Sequence, residues 1–130
     1  MPNLRKRALD ASDAPQPAAG YAQAVEVDGA ERLLFISGQI PVLVDGTVPS
    51  GFKAQARAAW ANVDAQLRAA GMTLDHLVKV TIFLSDRRYA LENREIRQEV
   101  LGERRVGLTV IIAGIFDANW LLEIEAIAAA

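Results

Sequence analysis

Residues 108–113 are apolar on both of their alternating faces, with Leu108, Val110 and Ile112 on one side and Ile111 and Ala113 on the other. Residues 78–84 (VKVTIFL) are β-branched and aromatic, and they read as a second buried strand. Successive side chains of a strand point to opposite faces, so a sheet built from such strands has two faces to bury. A helix predicted over residues 51–70 and another over 88–101 cover only one of them. In the first, Phe52, Ala56, Trp60, Val63 and Leu67 fall on one helix face. Ser50 is its expected N-cap and Gly71 its stop. In the second, Tyr89, Asn93, Ile96 and Val100 share a face, and Gly102 ends it. The other sheet face is then an apolar patch of the kind a monomer rarely leaves in water. Self-association is the physical expectation.

Residues 21–27 and 32–37, joined by the turn signal Asp28-Gly29, read as a hairpin. Residues 106–113 and 120–128 read as two last strands joined across a hairpin loop at 114–119. The expected order is therefore β-β-α-β-α-β-β, an α+β domain with two helices on one face of a single sheet. Residues 1–13 hold no apolar periodicity and read as a flexible N-terminal arm, with 14–130 as one domain. The chain's 130 residues suffice for one core.

Several chemistries are excluded by what the chain lacks. It has no cysteine, which removes disulfides, zinc–thiolate sites and a cysteine nucleophile and fits a cytoplasmic location. Its one histidine, His76, falls in a turn, so metal sites built from several histidines are excluded. No apolar run reaches the ~18 residues of a membrane span. The net charge of −2 and the absence of a basic stripe argue against nucleic-acid binding.

Five short stretches carry a resemblance. They are Ala19-Gly20-Tyr21-Ala22-Gln23-Ala24-Val25, residues 35–41 (FISGQIP), Asn62-Val63 with Ala70-Gly71, residues 77–86 (LVKVTIFLSD), and residues 123–128 (EIEAIA). In this order they resemble the reactive-intermediate deaminase (RidA, YjgF-like) family over about residues 14–129. The resemblance implies a chorismate-mutase-like fold, a homotrimer with small-molecule pockets at the subunit interfaces, and hydrolysis of reactive enamines and imines without metal or cofactor. Carried over by position, it makes Glu123 the glutamate that orients water and Tyr21 the pocket tyrosine. Gly38 becomes a bare backbone beside the ligand, and Asn93 and Tyr89 become residues of the ligand pocket.

One position departs from the pattern. The family's P-A-R-[ST] arginine, which grips a substrate carboxylate, falls here on Leu108, with Thr109 on the Ser/Thr. Arg105 stands three residues away, on the opposite strand face, and Arg104 lies ~13 Å back along an extended strand. The resemblance therefore implies an arginine-less branch, either a hydrolase for a less acidic C–N metabolite or a non-catalytic metabolite-binding trimer. RNA cleavage is a third reading, disfavoured by the charge. On the residues alone, Leu108 reads equally as strand core, Tyr21 as a strand-end aromatic, Asn93 as a loop cap, and Glu123 as a solvated strand charge.

Overall fold

The structure, a computed structural model, describes residues 4–130. Its elements run β1 (Arg5–Leu9), β2 (Ala24–Asp28), β3 (Leu33–Gln39), α1 (Phe52–Ala69), β4 (Leu77–Leu84), α2 (Ala90–Leu101), β5 (Gly107–Ile112) and β6 (Leu122–Ala129). Short 3-10 turns at Leu74–His76 and Arg87–Tyr89 lead into β4 and α2. The α+β class holds. The order differs from expectation by one added strand at the start.

α1 forms where the periodicity places it, and Phe52, Ala56, Trp60, Val63 and Leu67 are all buried. Its N-cap is Gly51 at φ 88°, not Ser50, and no side chain caps the helix. Its end is a Schellman turn. Met72 N–H donates to Leu67 O at 2.8 Å and Gly71 N–H to Arg68 O at 3.0 Å, with Gly71 at φ 71°. Met72 and Leu67, both buried, make the apolar contact that accompanies such a turn.

The sheet order is β3-β6-β4-β5. β6 is antiparallel to both β3 and β4, while β5 pairs parallel with β4. Both expected hairpins are therefore corrected. β5 and β6 are not neighbours, because β6 inserts between β3 and β4. β2 pairs with β1 in a separate two-stranded ribbon rather than with β3.

The expected flexible arm of residues 1–13 thus contains a strand, with residues 1–3 outside the described residues. Polar pairing holds this ribbon in place of apolar burial. Arg5 bonds Asp28 at 2.9 Å and Arg7 bonds Glu26 at 3.2 Å across the ladder. Lys6 Nζ donates to the carbonyls of Asp75 and Leu77, at the entry to β4. Burial there holds the Lys6 ammonium below its ordinary pKa.

The core lies between the helices and one sheet face. Val80, Ile82 and Leu84 of β4 and Leu122, Ile124, Ala126 and Ala128 of β6 point into it. The other face is open. Phe35, 69% exposed, and Leu33, 60% exposed, stand on β3 beside Ile127, with Ile111 at the β5 edge. Polar residues share this face, including Glu123, Glu125, Thr81 and a Lys79 whose Nζ donates to Thr109 Oγ1 at 2.6 Å. The uncovered face is thus an apolar strip at β3 bordered by polar groups, less uniformly apolar than the sequence suggests.

Candidate functional site

Glu123 lies near the start of β6, opposite Phe83 of β4, and is half-buried on the open face. The β3–β6 ladder shifts register between Ile36 and Gln39. This irregularity brings Gly38 against the Glu123 side chain. A Cβ built at position 38 overlaps the Glu123 carboxylate and lies 2.7 Å from its carboxyl carbon. Gly38 thus accommodates a close approach, and its backbone is not left-handed. Among the described residues no hydrogen bond holds the Glu123 carboxylate, so its oxygens remain available to a ligand or to water.

Tyr21 sits elsewhere. The chain beside it is pinned to the lead-in of β5, where Ala22 N–H donates to Val106 O at 2.9 Å and Ala22 bridges Gly107. Arg105 Nη2 donates to Tyr21 O at 3.3 Å. The register separates the two expected catalytic residues within one chain. Ala22 bridges Gly107, Gly107 pairs with Lys79, and Lys79 pairs with Ile127. Glu123 is four residues from Ile127, ~13 Å along the strand, and three strand spacings of ~4.8 Å lie across that row.

Asn93 is 3% exposed on α2, and its Oδ1 has no hydrogen-bond partner among the described residues. Tyr89, in the turn before α2, stacks on Phe52 with ring centroids 4.8 Å apart, and Arg88 lies over its ring at 5.0 Å. Leu108 pairs with Val80, so it lies on the helix side of the sheet, half-buried against the core and opposite to the Glu123 face. The structure brings Gly38 and Glu123 together. It does not bring Tyr21, Leu108 or Tyr89 to them in a single chain.

Neither arginine near Leu108 is unengaged. Arg104 Nε donates to Asp75 Oδ1 at 2.7 Å and its Nη1 to Leu101 O at 3.2 Å. Arg104 holds the Asp75 carboxyl below its usual pKa. Arg105 is ion-paired with Asp10, whose pKa is lowered first by a bond from Gln23 N–H and then by Arg105.

A third arginine was missed by the sequence reading. Arg97 is 7% exposed, one turn after Asn93, on the face of α2 that also buries Ile96 and Leu101. Its signal was present in the spacing, because position 97 falls four residues after Asn93 and four before Leu101. It lines a cavity with Tyr21 and Arg104.

This fold is shared with known proteins of one class. The family model described as Endoribonuclease L-PSP matches residues 11–130. A RutC family protein of Aquifex aeolicus is 37% identical over 120 residues, covering 92% of this chain and 94% of its own. The chain belongs to the RidA/YjgF family. Among solved structures, RidA from Psychrobacter sp. PAMC 21119 superposes with a TM-score of 0.73 at 27% identity, covering 95% of this chain and 99% of its own. TdcF of Escherichia coli, solved with bound serine, superposes with a TM-score of 0.72 at 29% identity, covering 95% and 98%. Among the described residues, no helix is long and apolar enough to cross a membrane.

Proposed function

We propose that this chain forms a homotrimer with a small-molecule pocket at each subunit interface, and that it hydrolyses an imine, enamine or related C–N metabolite there without metal or cofactor. The observation that carries the reading is the Gly38–Glu123 approach. A glycine gives up its side chain so that a half-buried, unbonded carboxylate can stand at the open sheet face. Family membership supports the reaction class, since TdcF is named for reactive-intermediate deamination, and a bound serine in TdcF supports a small-molecule ligand.

Glu123 takes a proton from water as the water oxygen attacks the imine carbon, and returns it to nitrogen. The carbinolamine hydroxyl then gives its proton through Glu123 to the nitrogen, the C–N bond breaks to release ammonia, and C=O forms. General-base assistance of this kind contributes roughly 10²–10⁴-fold. Tyr21 and Asn93 hold the ligand, Gly38 lets it approach the backbone, and Tyr89 and Leu108 border it. Because Glu123 and Tyr21 lie apart in one chain, their joint use requires a second copy, which favours an interfacial pocket. The exposed strip of Leu33 and Phe35 favours the same assembly.

Leu108 favours a second reading. With no guanidinium at that position a 2-imino acid loses its bidentate carboxylate partner, and the trimer is then a metabolite binder without turnover. The deciding experiment generates imines in situ with amino-acid and amine oxidases and follows ammonia release. The wild type and Glu123→Gln are compared at equal oligomeric state. A fall of about 10²–10⁴-fold in Glu123→Gln supports hydrolysis. No turnover of either imine class by the wild type leaves the binder.

A further inference from the structure

Gly20, Tyr21, Arg97, Leu101, Arg104 and Val106 line a cavity of about 150 Å³ between the start of β5 and the second half of α2. It is ~13 Å along the strands from Glu123, by the register above. Arg104 and Arg105 are both engaged by carboxylates. Arg97 is not. It is 7% exposed, and among the described residues it makes no ion pair and no hydrogen bond. An arginine keeps its charge in any protein environment, and a buried charge is paired or costly. Burial and the neighbouring Arg94 push the Arg97 pKa down, and only the Tyr21 phenol pulls it back. The fold thus holds a permanent cation at a cavity wall and supplies no counter-charge.

We propose that this cavity is a binding site for a short-chain organic carboxylate, held by the Arg97 guanidinium. The fork of N–H donors matches two carboxylate oxygens. Leu101, Val106 and the Tyr21 ring supply apolar wall for a short alkyl tail. A cavity of this size has room for about six heavy atoms, as an engineered cavity of ~150 Å³ accepts benzene. Inorganic phosphate shares the oxyanion chemistry but has no apolar part. The site shares Tyr21 with the proposed interfacial pocket and so rests in part on that reading, but it needs neither Glu123 nor turnover, and propanoate binding is read apart from hydrolysis.

The test is thermal unfolding of the full chain against sodium propanoate, with sodium phosphate in parallel and ionic strength fixed with chloride. A saturable site raises the unfolding temperature in proportion to ln(1 + [L]/Kd). The expected result is such a rise with propanoate, weaker by tenfold or more in apparent affinity with phosphate, and absent in Arg97→Met at unchanged oligomeric state. Four results overturn the proposal: no rise in the wild type, an equal rise in Arg97→Met, a stronger response to phosphate than to propanoate, or dissociation of Arg97→Met with no propanoate effect in the wild type. The last would place a carboxylate of a second copy on Arg97. If Arg97→Met does not fold, the Arg97 Nε–Hε resonance of the wild type, assigned with Arg97→Lys, decides the matter. A saturable shift with propanoate supports the site, and no shift overturns it.

Discussion

Gly38 and Glu123 are in contact across the β3 irregularity so closely that no side chain fits at position 38 while Glu123 keeps its place. Gly38→Ala is therefore expected to destabilise the fold by about 1–3 kcal/mol, the usual cost of overpacking. Gly38→Ala combined with Glu123→Ala should regain most of that loss, since the clash partner is gone. A denaturant double-mutant cycle measures the coupling, expected at about 1–3 kcal/mol. Additive single effects would mean that Glu123 swings away freely and that Gly38 serves no close approach.

Deleting residues 1–10 removes β1 and with it the Arg5–Asp28, Arg7–Glu26 and Lys6 contacts to the β4 entry. Exposed ion pairs contribute little each, about 0.2–1 kcal/mol, but the deletion also strips β2 of the one strand partner it has among the described residues. The truncated chain should melt several degrees lower, at roughly 4 °C for each kcal/mol lost. An unchanged melting temperature would show that the ribbon adds nothing to the folded state.

Two carboxylates have folded-state pKa values lowered by their partners, Asp10 by Gln23 N–H and Arg105, and Asp75 by Arg104. A depressed folded pKa means that the unfolded chain takes up the proton first. The stabilisation is complete above the unfolded value of about 3.9 and disappears as pH falls through the lower folded value. The gap in melting temperature between wild type and Asp10→Asn should therefore be full at pH 6 and close below about pH 4. A gap that persists to the lowest pH at which the protein folds would point to a role for Asp10 other than its charge.

Much of this fold is legible in local pattern. The 3.6-residue period of Phe52, Ala56, Trp60, Val63 and Leu67 locates α1, and the β-branched run of β4 locates the central strand. Strand order is not legible in the same way, because period-2 alternation says which face a residue takes and nothing about its neighbour strand. β6 reads as the partner of β5 by proximity, yet it pairs with β3 and β4 across long sequence separations. β1 escapes because its signal is charge alternation, Arg5 and Arg7 against Glu26 and Asp28, with almost no apolar burial. Of the candidate site, Gly38 and Glu123 meet at the irregularity of the β3–β6 ladder, which period-2 alternation does not announce. Arg97 escapes because an arginine in a charged helix reads as solvated, and only its four-residue offsets from Asn93 and Leu101 mark the buried face.

Leu108 sets the last expectation. It is half-buried against the core on the helix side of β5, and the two arginines nearest to it in sequence are engaged by Asp75 and Asp10. On the proposed reading, position 108 offers no guanidinium to the carboxylate of a 2-imino acid. The loss of such a partner costs roughly 2–5 kcal/mol, a rate decrease of roughly 30- to 5,000-fold if felt fully in the transition state. Hydrolysis of 2-iminopropanoate and 2-iminobutanoate, generated by an amino-acid oxidase, should fall below that of an arginine-bearing relative by such a factor. Imines without a carboxylate should suffer no such penalty, so the ratio of the two substrate classes is the quantity to read. A folded Leu108→Arg variant should raise turnover of the carboxylate-bearing imines selectively. Imino-acid turnover equal to the relative's in the wild type would mean that another cation takes the role. Arg97, beside Tyr21, is then the first candidate, and Arg97→Met should abolish that turnover.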